Sequence, residues 1–202
     1  MLPLQCSVVA LGGSLNVYYF KKVKNANALA ASVIQILIIL SGVSTILYGW
    51  SGELTFGLLG AYFVYDALHS IVNYQTVLDA VFIFHHVVGI GAMHIIATSI
   101  QNIEIYTVMF ITFIEISNFL RNYSDGWEAS WPRPLLHYTF PFCKLMGPLY
   151  ATAEIFKVIP DEHYSSAFFT AVVFGVITLC DAHMTYGEYR ESLSQKTENK
   201  TK

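Results

Sequence analysis

Long stretches of this chain carry no charge. No Asp, Glu, Lys or Arg occurs within residues 1–20, 25–52, 80–103 or 163–180. A bilayer core about 30 Å thick takes about 20 apolar residues in a helix. Backbone groups in lipid must be satisfied within their own segment, which selects helices over loops. The pattern predicts seven hydrophobic helices, at about 2–20, 29–50, 55–74, 78–100, 104–120, 135–158 and 164–184. The expected fold is all-α, a multi-pass transmembrane helical bundle of about seven spans. The first segment is the weakest, diluted by Gln5, Gly12, Gly13, Ser14 and Asn16. A cleaved signal peptide would want its positive charges before the apolar stretch, and here the lysines follow it. Beyond Glu188 the chain turns charged and Ser/Thr-rich, the composition of a disordered tail.

Composition agrees with this reading. Of 202 residues, 54% are hydrophobic and 12% charged, and the mean hydropathy is +0.50. A soluble enzyme of this size would need more polar surface. The net charge of −3 offers no basic footprint for nucleic acid. Cys6, Cys143 and Cys180 show neither a disulfide framework nor a metal spacing.

Lysines and arginines in alternate links set the orientation. One side collects Lys21, Lys22, Lys24, Arg121, Arg133, Arg190, Lys196, Lys200 and Lys202, and the opposite links hold Lys157. The first set, with the C-terminal tail, is expected in the cytoplasm. Asn122-Tyr-Ser and Asn199-Lys-Thr match the glycosylation pattern, but that side would leave both unused.

Ionisable groups inside spans are costly and usually face a bundle interior or a wet cavity. The candidates are Asp66 and His69 in segment three, and Asp79, His85, His86 and His94 in segment four. Glu115 follows in segment five, His137, Lys144 and Glu154 in segment six, and Asp181 and His183 in segment seven. Asp79 and His86 are seven apart and share a helix face, with His94 near the same stripe and His85 about 100° away. Gly89 and Gly91 leave room for a close neighbour. An imidazole can exchange a proton near neutral pH or carry an acyl group as a nucleophile. Asp79 or Asp66 could hold its ring in one tautomer. The plainer alternative is that these histidines bond carbonyls and join helices. A proton path through Asp66, Asp79, Glu115 and Lys144 is a weaker option. No HxxxH or CxxC exists, so no metal is expected. The last span lacks the lysine a retinal pigment needs, and Phe82 stands where a fatty-acid elongase would want the first His of HxxHH.

Residues 60–67 (GAYFVYDA), then Asp79, then 84–88 (FHHVV) resemble the TLC-domain family, the ceramide-synthase homology domain. Residues 27–35 (NALAASVIQ) are similar to its opening stretch, with Gln35 where His is usual. Residues 113–120 (FIEISNFL) are similar to a segment of the smaller TLC-domain proteins. The likeness covers about 24–187. It divides the chain into a first segment with a basic link (1–23), a TLC-like domain (24–187) and a cytoplasmic tail (188–202).

The resemblance implies six core helices around a lipid cavity, plus one peripheral helix, in the endoplasmic reticulum or another endomembrane. It implies sphingolipid-type chemistry, the transfer of a fatty acyl group from acyl-CoA to a lipid amine. His85 and His86 match the double His, and Asp66 and Asp79 match the two aspartates. Glu115 keeps one carboxylate of the synthase HDxxD stretch, while Ile114 and Asn118 replace the His and the last Asp. That places the chain nearer the smaller TLC-domain proteins. The expected site is thus His85, His86, Asp79, Asp66 and Glu115. Arg121 and Arg133 are placed to meet CoA phosphates, or simply to signal topology. No cofactor is bound on this reading, acyl-CoA is the co-substrate, membrane lipids are the partners, and a homodimer is compatible. The alternative is a non-catalytic lipid-binding protein that regulates membrane composition.

Other features have ordinary readings. Pro141 and Pro148 should kink segment six, and Gly147 should ease its packing. Trp50, Trp127 and Trp131 suit interfacial anchors. Lys144 should pair with Glu115 or Glu154, and Tyr62 and Tyr65 should serve packing.

Overall fold

The structure, a computed structural model, describes residues 7, 9–15, 25–74, 80, 83–91, 103–127, 135–136 and 139–158, with 164, 165, 168, 172, 175, 176, 179 and 186 as isolated positions. Among these residues every element is helical. The first long helix, α1 (Ala26–Tyr48), starts where the Asn25 side chain accepts the Ala28 N–H at 3.0 Å. This is a standard N-cap, satisfying one of the amides a helix start leaves open. It stops at Gly49, whose φ of 67° is open to glycine at little cost and whose N–H closes on the Thr45 carbonyl.

Helix α2 (Glu53–Val72) follows after a short turn. The Glu104 carboxylate accepts the Gly52 N–H at its start, putting negative charge where the helix dipole favours it. At the other end the Asn73 backbone and side chain both donate to the His69 carbonyl, at 3.0 and 2.8 Å. Helix α3 spans Glu104–Trp127. A π-helix, Phe140–Met146, runs into α4, Gly147–Val158. Residues 83–91 are also helical.

Two of these helices, α1 and α2, are long and apolar enough to cross a membrane. At about 1.5 Å per residue, the 23 residues of α1 and the 20 of α2 each match a hydrocarbon core. Segments two and three thus appear within a few residues of their expected bounds. Segment five runs further, to Trp127, because its extra turns pack on α1. Asn122 reaches Gln35, and Gly126 lies against Leu29.

Segment six departs from a simple proline kink. Pro148 has no N–H to give the Lys144 carbonyl, and its ring crowds that turn. The chain responds with a wider register upstream, in which the Gly147 N–H bonds the Phe142 carbonyl five residues back. Segments one, four and seven are described only in part, and the basic link at 21–24 and the tail at 188–202 lie outside the described residues.

The elements run back and forth. Ser41 meets Thr55 near one end of the α1–α2 pair, and Asn27 meets Tyr65 toward the other. Helix α3 lies antiparallel on α1, with Gly42 against Thr112 and Gly126 against Leu29. Helix α4 packs on α3, where Phe113 covers Gly147. The core is Ala30, Ala31, Ile34 and Ile38 of α1, Leu58, Leu59 and Ala61 of α2, and Val108, Phe110 and Ile111 of α3. Leu40, Leu47, Val72, Met146 and Leu149 face outward.

A Cβ on Gly126 would stand 3.1 Å from the Leu29 backbone, which a side-chain rotation cannot relieve. Gly126→Val should therefore push α3 off α1. The expected loss is about 1–3 kcal/mol, read as a lower thermal midpoint in detergent.

Candidate functional site

The candidate site lies toward the end of the bundle where α1 begins and α2 and α3 finish. In α2, Tyr62 and Asp66 are four apart and share a face, as residues at that spacing must. Opposite them comes the helical stretch 83–91. His86 is buried at 5% exposure, and its Nε2 stands 3.3 Å from Asp66 Oδ2. The His85 ring lies edge-on to His86, with centroids 5.2 Å apart and planes at 89°. Phe63 packs against both rings, at 5.0 Å from His86 and 6.2 Å from His85. Gly89 permits this, since a Cβ there would come within 2.6 Å of the Phe63 ring.

Asp66 is held from its other side. Asn27 Nδ2 donates to Asp66 Oδ1 at 3.4 Å, and Asn27 Oδ1 accepts from the Tyr65 hydroxyl at 2.7 Å. One carboxylate oxygen thus faces α1 and the other faces His86. A half-buried carboxylate benefits from such partners, because it has lost part of its hydration.

A second run of polar side chains continues across α1 into α3. Gln35 is fully buried, its Nε2 donating to the Tyr62 hydroxyl at 3.5 Å and its Oε1 accepting from Asn122 Nδ2 at 3.0 Å. One turn back on α3, Asn118 donates to Glu115 Oε1 at 3.5 Å and accepts from Lys144 Nζ at 2.5 Å. Lys144 is 1% exposed. Asn118 thus bonds both Lys144 and Glu115, and Glu154 pairs with Lys157 at 2.6 Å.

Of the sequence-predicted site residues, His85, His86 and Asp66 come together. Glu115 is buried on α3, joined to the second polar run. Arg121 is half-buried within α3 rather than in a link, because the helix continues to Trp127. Asp79, Arg133, His94, His137, Asp181 and His183 lie outside the described residues. The acid observed beside His86 is therefore Asp66. Among the described residues no three His, Cys, Asp or Glu side chains converge as a metal site would require.

Sequence reasoning passed over Asn27, Asn118 and Asn122 as network members. Asn122 was read as part of a glycosylation pattern. One signal was present, since Glu115, Asn118 and Asn122 repeat at three and four residues and form a polar stripe on one face.

Compared with protein-family models, with curated proteins and with solved structures, the chain matches none.

Such an arrangement can hold a neutral imidazole in one tautomer. A ring that gives its Nε2 proton to Asp66 carries its basic lone pair on Nδ1. The buried amides have a different role, tying α1 to α2 and α3. Gln35→Leu should leave the Asn122 amide without its acceptor and cost about 1 kcal/mol. Gln35→Leu combined with Asn122→Leu should recover part of that loss, as read by thermal denaturation in detergent or nanodiscs.

Proposed function

We propose that the chain is a multi-pass membrane protein of about seven spans, with a TLC-like domain that performs ceramide-synthase-like acyl transfer. The observation that carries this reading is the contact of buried His86 with half-buried Asp66 on a neighbouring helix, with His85 packed edge-on beside it. Ionisable groups at membrane depth are rare unless they serve a pathway or a site. This pair lies about six residues from the end of α2, roughly 9 Å along its axis.

In the proposed reaction a lipid amine attacks the carbonyl carbon of an acyl thioester. Asp66 takes the Nε2 hydrogen bond of His86, and Nδ1 accepts the amine proton as the C–N bond forms. The tetrahedral intermediate collapses with cleavage of the C–S bond, and the departing thiolate takes that proton from the imidazolium. The products are an amide and free CoA, so atoms and charge balance. Apo contacts of this kind tighten when substrate binds, which suits a separation of 3.3 Å. His85 shapes the ring pocket together with Phe63. Arg121 and Arg133 serve the CoA phosphates, and Glu115 the polar wall. Asp79, seven residues before His86, remains a second acid for the same helix face. Location in the endoplasmic reticulum or another endomembrane, with a cytoplasmic tail, belongs to the same proposal.

One observation favours the second reading, a non-catalytic lipid-binding protein. The Lys144–Asn118–Glu115 chain is closed within the protein, so part of the polar belt serves packing. Under that reading a lipid-composition phenotype would survive alanine at both histidines.

Purified protein in nanodiscs, given a long-chain acyl-CoA and a long-chain amine, should release CoA. His86→Ala should abolish release, and Asp66→Asn should slow it by roughly 100-fold or more. Release that is absent in the wild type, or undiminished in His86→Ala, counts against acyl transfer. For the topology, a tag after Lys202 should be digested by protease added outside intact microsomes.

A further inference from the structure

Tyr62 is 7% exposed and lies at the junction of the two polar runs. Its hydroxyl accepts from Gln35 Nε2. The direction of that bond follows from the next one along. Asn122 donates to the Gln35 oxygen, which turns the Gln35 amide nitrogen toward the phenol. The phenol oxygen is therefore an acceptor on that side, and its own proton is left to donate elsewhere. Among the described residues no acceptor takes it. A buried hydroxyl donor without an acceptor costs on the order of 1–3 kcal/mol, and, with none among the described residues, a bound ligand is one group that can supply it.

The surroundings say what kind. The Tyr62 ring lies edge-on to His86, with centroids 6.4 Å apart. Asp66, Glu115 and Arg121 are its charged neighbours. Toward the far end of the bundle the polar belt gives way to Leu58, Leu59 and Ile38. Tyr62 thus marks the level where polar groups end and an apolar layer begins, next to the imidazole. An acyl lipid has one group at such a boundary, the carbonyl that joins its polar head to its chain.

We propose that the Tyr62 hydroxyl donates a hydrogen bond to the acyl carbonyl oxygen of the ligand held beside His86. This rests on the acyl-transfer reading for its consequence in rate, but not for binding. In that reaction the bond strengthens as the carbonyl oxygen becomes an oxyanion, so Tyr62 stabilises the tetrahedral intermediate while His86 handles the proton. Gln35 and Asn122 are then positioning residues, because their amide orientations aim the phenol. Tyr65, three residues on, has a different task, since its hydroxyl bonds Asn27.

The test is infrared difference spectroscopy on the full chain in nanodiscs. One arm uses an acyl-CoA analogue with a methylene in place of the thioester sulfur and carbon-13 at the carbonyl. The other uses a phospholipid ester labelled at the same carbon. With at least one probe the wild type should move the labelled carbonyl band to lower frequency. Tyr62→Phe, an isosteric change, should abolish the shift while His86→Ala retains it, and 3-fluorotyrosine at position 62, a stronger acid, should enlarge it. The arm that responds identifies the source of the carbonyl. If CoA is released, Tyr62→Phe should lower kcat roughly 100-fold with little change in KM. A shift that depends on Tyr62 without CoA release keeps this inference and rejects acyl transfer. CoA release that depends on His86, with band and kcat unchanged in Tyr62→Phe, keeps acyl transfer and overturns this inference. A wild-type band that moves with neither probe overturns it as well. Should Tyr62→Phe fail to fold, the fluorotyrosine arm decides alone, and an unchanged band there overturns the inference.

Discussion

A polar group inside a bundle that has no water to turn to must be satisfied by its neighbours. That constraint organises the end of the bundle where α1 begins and α2 and α3 finish. His86 meets Asp66, Asp66 meets Asn27, Tyr62 meets Gln35, Gln35 meets Asn122, and Asn118 joins Glu115 to Lys144. Each of these bonds except the Asn118–Glu115 bond crosses between elements. They fix the register of helices whose apolar faces alone would slide. The opposite end of the bundle is held differently, by close packing at Gly42 and by the Glu104 carboxylate on the start of α2.

The same belt supplies both structure and candidate chemistry, and its members divide by position. Gln35, Asn122, Asn118 and Lys144 lie between packed helices, where amide and ammonium groups serve as ties. Asp66 and His86 lie on α2 and on the stretch 83–91, and Asp66 keeps 19% of its side chain accessible. Chemistry is better placed there, because a ligand must reach the imidazole and leave again. Phe63 and Gly89 keep the two histidine rings close without covering them in charge.

The π-helix is where sequence and packing disagree most productively. Pro148 breaks the α-helical ladder at Lys144, and the wider turn is the local answer. The Lys144 ammonium bonds Asn118 from that turn, while Phe113 covers Gly147 beside it.

Much of this was legible beforehand. The charge-free runs determined that the chain is helical and that α1 and α2 are membrane-length, because the need to satisfy backbone groups in lipid acts within each segment. The His–His pair and the acids set within apolar stretches stood out for the same local reason, the cost of burying them. The tertiary structure alone decided that Asp66 is the acid observed beside His86, that Gln35 joins Tyr62 to Asn122, and that Asn118 bonds both Lys144 and Glu115. Those pairings depend on the register of one helix against another. Register is set by where glycines and prolines let backbones approach, and no spacing within a single helix contains it.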